Sequence, residues 1–261
     1  MTVQLDGFSV SPKTFDGETR DVYRRGAGPG VIVMHEIPGI TPPVARFATI
    51  VADAGFTVFM PHLFGTPGRA MTTSYALGQI ARACISREFR LFAANETSPM
   101  ISWLRALCAE AHAELGGRGV GAIGMCITGN FALALMVDEW MMAPVLSQPS
   151  LPAGFSRTAK RGLHLSNEDL SVVKRRAAAG VPLLGLRFTN DPACPRERFD
   201  RLREELGPAF EAIEIDSSPG NAAGIKRTAH SVVTQDLVDE AGHPTRVALD
   251  RVLSFYAEHL R

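Results

Sequence analysis

The sequence predicts an α/β fold, a mostly parallel sheet with helices on both faces. Three observations carry this expectation. Short runs rich in Val and Ile are bounded by Gly and Pro. Longer segments between them repeat apolar residues every three to four positions. The two patterns alternate along most of the chain. The 261 residues, 46% hydrophobic and 21% charged, supply a sizeable core. No internal repeat or low-complexity linker divides them, so one domain over 1–261 is expected.

The elements follow in order. GVIVMHE (30–36) reads as a buried strand after a Gly-Pro-Gly turn. PPVARFATIVADAG (42–55) reads as a helix stopped by Gly55. FTVFMPHLF (56–64) is the next strand, and 75–94 and 97–115 have helical spacing. GVGAIGM (119–125) is a strand, NFALALMVDEW (130–140) a helix and MAPVLSQP (142–149) a further strand. SNEDLSVVKRRAAAG (166–180) is a helix capped by Ser166. VPLLGLRF (181–188) and AFEAIEID (209–216) are strands around the helix PRERFDRLREELG (195–207), and PTRVALDRVLSFYAEHLR (244–261) closes the chain as a helix. The loop 148–165 is rich in Pro, Gly and polar residues, and connections that long are lids or disordered segments.

The net charge is zero, which removes the electrostatic case for nucleic acid or an anionic membrane as partner. No run of eighteen apolar residues suggests a membrane span, and MTVQLDGFSV has neither the basic nor the apolar region of a signal peptide. Cys84, Cys108, Cys126 and Cys194 lie far apart without a C-x-x-C pair, the usage of reduced thiols. A cytoplasmic monomer without cofactor or metal is the expectation.

Chemistry concentrates first at Gly124-Met125-Cys126-Ile127-Thr128-Gly129, between a predicted strand and a predicted helix. A nucleophile on such a turn needs small neighbours, because the turn is sharp and the helix packs close to the strand. The helix N-terminus would favour a thiolate at Cys126, and the Ile127 N–H would face a developing oxyanion. The motif alone reads equally as a nucleophile and as a buried structural cysteine.

A nucleophile of this kind needs a base and a group that orients the base. Asp191, in TNDPACP, follows the strand 181–188, where ligands bind in parallel sheets. His230, in IKRTAHSVVTQ, follows the strand 209–216. Singly they read as a turn aspartate and a surface histidine. In the order nucleophile, acid, histidine they form a candidate triad. His243, in EAGHPTR, is the rival base. Cys108 and His112 have helical spacing but too few companions for a metal site. GAGPG (26–30) precedes its strand and so is a turn rather than a dinucleotide fingerprint.

VIVMHEIPGI (31–40), FTVFMPHLFG (56–65), GMCITGNFALAL (124–135), FTNDPACP (188–195) and AHSVV (229–233), in that order, resemble the dienelactone hydrolase family over most of the chain. The resemblance implies an α/β-hydrolase fold and a Cys126–His230–Asp191 triad. It also implies an oxyanion hole of the Ile37 and Ile127 N–H groups, and a Glu36 that contacts the cysteine. A glutamate ending a buried strand needs a partner. It reads either as a loop anchor or, by the resemblance, as a switch that holds the resting thiol and helps ionise it when substrate enters.

Two positions depart from the family. Thr128 stands for the second-last glycine of G-x-C-x-G-G, and Thr234 stands where the family has an arginine that grips a substrate carboxylate. Arg87 and Arg90, in ISREFRLF, are candidates for a carboxylate contact, with a solvated surface as their other reading. The expected reaction is hydrolysis of a lactone or small ester through an acyl-thioester. A general carboxylesterase or thioesterase on the same triad, and a non-catalytic small-molecule-binding protein on this fold, are the alternatives. Redox sensing by Cys126 is disfavoured because only Cys194, beyond Asp191, could resolve it.

Overall fold

A computed structural model of the chain describes residues 3–85, 98–150 and 156–261. The strands are β1 Ser9–Phe15, β2 Glu18–Arg25, β3 Gly30–Met34, β4 Thr57–Pro61, β5 Val120–Met125, β6 Met141–Ser147, β7 Leu183–Phe188 and β8 Phe210–Ile215. They form one eight-stranded sheet in the order β1-β2-β4-β3-β5-β6-β7-β8. From β4 to β8 every pairing is parallel, while β1 with β2 and β2 with β4 are antiparallel. The helices are α1 Pro42–Asp53, α2 Thr73–Ile85, α3 Pro99–Leu115, α4 Gly129–Leu135, α5 Arg157–Arg161, α6 Asn167–Ala178, α7 Arg196–Leu206 and α8 Pro244–Leu260.

The sheet divides the core in two, and the two-residue period of each strand does the dividing. Val31 and Val33 point to one side with Ile123, Val145, Leu184 and Leu186, against Phe47 and Val51 of α1 and Leu249, Val252 and Phe255 of α8. Ile32 and Met34 point to the other with Ala122, Leu146 and Leu183, against Trp103, Leu104 and Leu107 of α3, Phe131 of α4 and Phe199 of α7. Both faces are covered, so the central strands read as unbroken apolar runs. Each large side chain removed from water contributes roughly 1.5–3 kcal/mol.

Several boundaries differ from the sequence expectation. The strand expected over 30–36 stops at Met34, which leaves His35 and Glu36 in the loop beyond the sheet. The helix expected over 130–140 ends at Leu135, and the chain turns before β6. The long connection after residue 148 contains α5, capped by the Ser156 hydroxyl. Ser166 caps α6 as expected, accepting from the Asp169 N–H at 3.0 Å. The hairpin β1–β2 was not expected, because its residues alternate only weakly and only Val22 and Tyr23 are buried.

After β3 the chain moves outward to β4, and β5 then pairs with the opposite side of β3. This reversal makes β3 and β5 the switch point of the sheet, and crevices open beyond the carboxyl ends of strands at such points. The ends of β3 and β5 lie side by side, with Met34 opposite Gly124.

Candidate active site

Cys126 immediately follows β5 and has φ 58°, in the left-handed region that L residues rarely adopt. The turn requires its glycines. A Cβ on Gly124 would lie 1.9 Å from the Thr128 carbonyl oxygen, and one on Gly129 would lie 2.8 Å from Pro149 Cα. Thr128 fits where a glycine was expected because its hydroxyl is fully engaged. Thr128 Oγ1 accepts from the Met125 N–H at 2.9 Å, and its proton faces the carbonyls of Met125, Met34 and His35 at 2.9, 3.1 and 3.2 Å. The threonine thus ties the elbow to the end of β3.

Asp191 lies just past β7, is buried, and accepts the Ala193 N–H on Oδ1 at 2.9 Å. Its Oδ2 lies 2.7 Å from Nδ1 of His230. The irregular segment carrying His230 is held by Asp236, whose Oδ2 accepts the N–H groups of His230 and Ser231 at 2.8 and 2.9 Å. Burial works against a charged His230 ring, but the charge and hydrogen bond of Cys126 and the hydrogen bond of Asp191 outweigh it. The imidazole pKa is therefore raised well above its ordinary value. The fold thus pairs the imidazole with the carboxylate, from the segment after β8 and the turn after β7, and Cys126 of the turn after β5 is among the groups that raise the imidazole pKa.

Glu36 is 3% exposed and collects three donors. Thr234 Oγ1 donates to Oε1, while Ser231 Oγ and Gln148 Nε2 donate to Oε2 at 2.7 and 3.2 Å. Among the described residues, no hydrogen bond joins this carboxylate to Cys126, the contact expected for a switch. Burial raises the Glu36 pKa, while the hydroxyls of Thr234 and Ser231 and the neighbouring His230 hold it down in part. Gln148 Oε1 accepts the Val232 N–H at 3.4 Å, a second tie to the histidine segment.

The competing candidates have other duties. His243 caps α8, its Nδ1 accepting the Thr245 N–H at 3.3 Å. His35 is fully buried and accepts the Leu63 N–H on Nε2 at 3.0 Å, and burial pushes its pKa down to about 3. Cys194 is buried, and its thiol is pushed up to about 12 by desolvation, the opposite of a resolving thiol. Arg87 and Arg90 lie outside the described residues. Ile37 and Ile127 flank the crevice from the β3 and β5 sides, and neither N–H donates in a turn, loop or cap bond among the described residues.

Sequence reasoning missed Gln148, Ser150 and Ser231. Polar residues ending a predicted strand in VLSQPS were the available signal for the first two, since a buried parallel strand ends in polar residues chiefly where something binds. Nothing local marked Ser231. Chemically, an imidazole oriented by a carboxylate is an arrangement that can take up or give up a proton beside a nucleophile.

A family model described as the dienelactone hydrolase family matches residues 20–260. A Saccharomyces cerevisiae protein named "Putative carboxymethylenebutenolidase" is 24% identical over 201 residues, covering 74% of this chain and 69% of that protein. Among solved structures, a Klebsiella pneumoniae protein named "Putative Dienelactone Hydrolase" superposes with a TM-score of 0.65 at 16% identity, over 97% of this chain and 100% of that one. A cold-adapted esterase from an Arctic intertidal metagenomic library superposes with a TM-score of 0.61 at 14% identity, over 99% of this chain and 97% of its own. At these identities the superpositions show a shared fold.

Proposed function

The chain belongs to the dienelactone hydrolase family, carboxylic ester hydrolases of α/β-hydrolase fold, and from that premise we propose that it opens a lactone or small ester with Cys126 as nucleophile. The whole site sits on one domain. The observation that carries this reading is the position of His230, whose Nδ1 lies 2.7 Å from Asp191 Oδ2 and whose pKa is raised by the neighbouring Cys126 and Asp191.

In this mechanism the resting pair is a Cys126 thiolate with a His230 imidazolium. The thiolate attacks the carbonyl carbon. The Ile37 and Ile127 N–H groups stabilise the oxyanion as fixed dipoles. The C–O bond then breaks, and His230 Nε2 gives its proton to the leaving oxygen. In a lactone that oxygen stays tethered to the acyl group. The neutral imidazole next takes a proton from water, and water displaces the sulfur. Asp191 fixes the ring's tautomer throughout. Glu36 keeps the histidine segment in register through Ser231 and Thr234.

The test is turnover of p-nitrophenyl acetate, a dienelactone and a simple thioester by the wild type and Cys126→Ala. Wild type hydrolyses at least one, and the variant loses about a thousandfold or more, as when one member of a catalytic unit is removed. Equal activity of the two proteins, or none in either, would sink the assignment of Cys126.

A further inference from the structure

His230 Nε2 faces a second side chain that this mechanism leaves unused. Ser150 Oγ lies 3.4 Å from it, and Ser150 is buried in the turn just beyond the end of β6. Its placement is unusually constrained. The Ser150 N–H donates to the Cys126 carbonyl at 2.9 Å, so the nucleophile's own backbone anchors it. The Ser150 hydroxyl donates to the Gln148 carbonyl at 3.1 Å. The Ser150 carbonyl accepts from Asn130 Nδ2 at 2.7 Å and from Arg198 Nη1 at 2.9 Å.

Arg198 explains why the turn cannot drift. It is 1% exposed. Nη1 also reaches Asn130 Oδ1 and the Pro149 carbonyl at 3.0 and 2.9 Å, and no carboxylate takes part in these bonds. Desolvation pushes its pKa down to about 10. A buried guanidinium held by neutral acceptors is a costly arrangement, and such arrangements persist where the surroundings over-determine them. Here the guanidinium clamps residues 149 and 150 beside the imidazole.

We infer that Ser150 is a positioning residue for deacylation, holding the attacking water against His230 Nε2. The inference rests on the Cys126–His230 reading above. Once Cys126 is acylated, its sulfur is neutral and the imidazole loses the charge that kept it protonated. Nε2 then takes one proton from water as the water oxygen bonds to the thioester carbon. The C–S bond breaks, its electron pair returns to sulfur, and the proton on His230 restores the ion pair. Ser150 Oγ, with its own proton engaged by Gln148, offers a lone pair to the water's second proton. Acylation needs no such contact, because the thiolate attacks directly and the imidazolium protonates the leaving oxygen itself.

The experiment is a single-turnover reaction with p-nitrophenyl acetate, quenched at intervals and read by mass spectrometry of the acetylated peptide. Release of p-nitrophenol gives the acylation rate in the same samples. Ser150→Ala acylates at about the wild-type rate but loses its acetyl group about tenfold more slowly, the effect of one lost hydrogen bond. Ser150→Thr, which keeps the hydroxyl, restores the decay rate. A decay rate equal to wild type, or acylation and decay slowed together, overturns the role of Ser150. An acetyl group that never appears on Cys126 in any protein, or that appears on Ser150, overturns the nucleophile assignment instead.

Discussion

The carboxylate of Glu36 and the hydroxyl of Thr234 meet in a hydrogen bond across a sequence separation of 198 residues. The bond joins the end of β3 to the segment that carries His230, and both residues are buried. Where the family places an arginine against substrate, this chain has a short neutral donor turned onto its own carboxylate. Glu36 is therefore engaged on both oxygens by side chains that do not belong to the nucleophile.

Burial raises the Glu36 pKa, so the folded chain holds a proton that the unfolded chain releases. The stability linked to that proton is full below about pH 4.3 and is lost as pH rises through the raised folded value. Glu36→Gln removes this dependence. Urea melts at several pH values should show a flatter stability profile for the variant between acid and neutral pH. An unchanged profile would mean that Glu36 does not titrate differently in the fold.

His230 gives the opposite handle. Its pKa is raised, and the Asp191 hydrogen bond is one of the causes. The imidazolium required for protonating the leaving group is lost as pH rises through that value. Asp191→Asn lowers it, so the alkaline limb of kcat/KM should move to lower pH and turnover should fall about a hundredfold or more. A pH-rate profile checks both. A limb that stays in place would separate Asp191 from the ionisation that matters.

The elbow allows no Cβ at position 124. Gly124→Ala puts a methyl 1.9 Å from the Thr128 carbonyl oxygen, so backbone must move. A stability loss of about 3 kcal/mol or more is expected, in the range of strong backbone strain. Chemical denaturation measures it. A loss within the range of surface substitutions would contradict the close approach.

Thr128 bonds through its hydroxyl rather than its methyl group. Thr128→Val leaves the Met125 N–H without its acceptor in a dry site, a cost of about 1–3 kcal/mol. Thr128→Ser should stay near wild type. Thermal melts of the pair decide, and equal losses in both would show that the methyl packing matters more.

Arg198 is held by geometry as much as by charge. Arg198→Lys keeps the cation but has only one nitrogen, so it cannot serve Asn130, Pro149 and Ser150 as Nη1 does and also reach the Ala159 carbonyl as Nη2 does. A loss of about 2–4 kcal/mol is expected from the carbonyls left short of donors. A lysine variant as stable as wild type would show that a point charge suffices.

Local pattern determined a good deal of this protein. The alternation of short apolar runs with three-to-four spacing predicted β3 to β8 and, apart from α5, the helices between them, because backbone period and burial are local properties. The small residues around Cys126 and the order Cys126, Asp191, His230 made the candidate site legible, since each sits just beyond the carboxyl end of a strand or in the loop after one. Ser166 marked its helix start through a single side-chain bond. The hairpin β1–β2 escaped because only Val22 and Tyr23 of its residues are buried, too few to set a clear pattern.

Tertiary structure decided the rest. Whether Glu36 touches the thiol or the hydroxyls of Ser231 and Thr234 depends on which segment the sheet order brings above β3. Which of His243 and His230 pairs with Asp191 is likewise set by the fold: His230 reaches it, and His243 caps α8. Ser150 gained its place from Arg198, Asn130 and Cys126, residues drawn from α7, α4 and the elbow. Such contacts join groups tens to hundreds of residues apart. Their geometry is set by sheet topology and by packing on both sheet faces, which no window of local sequence contains.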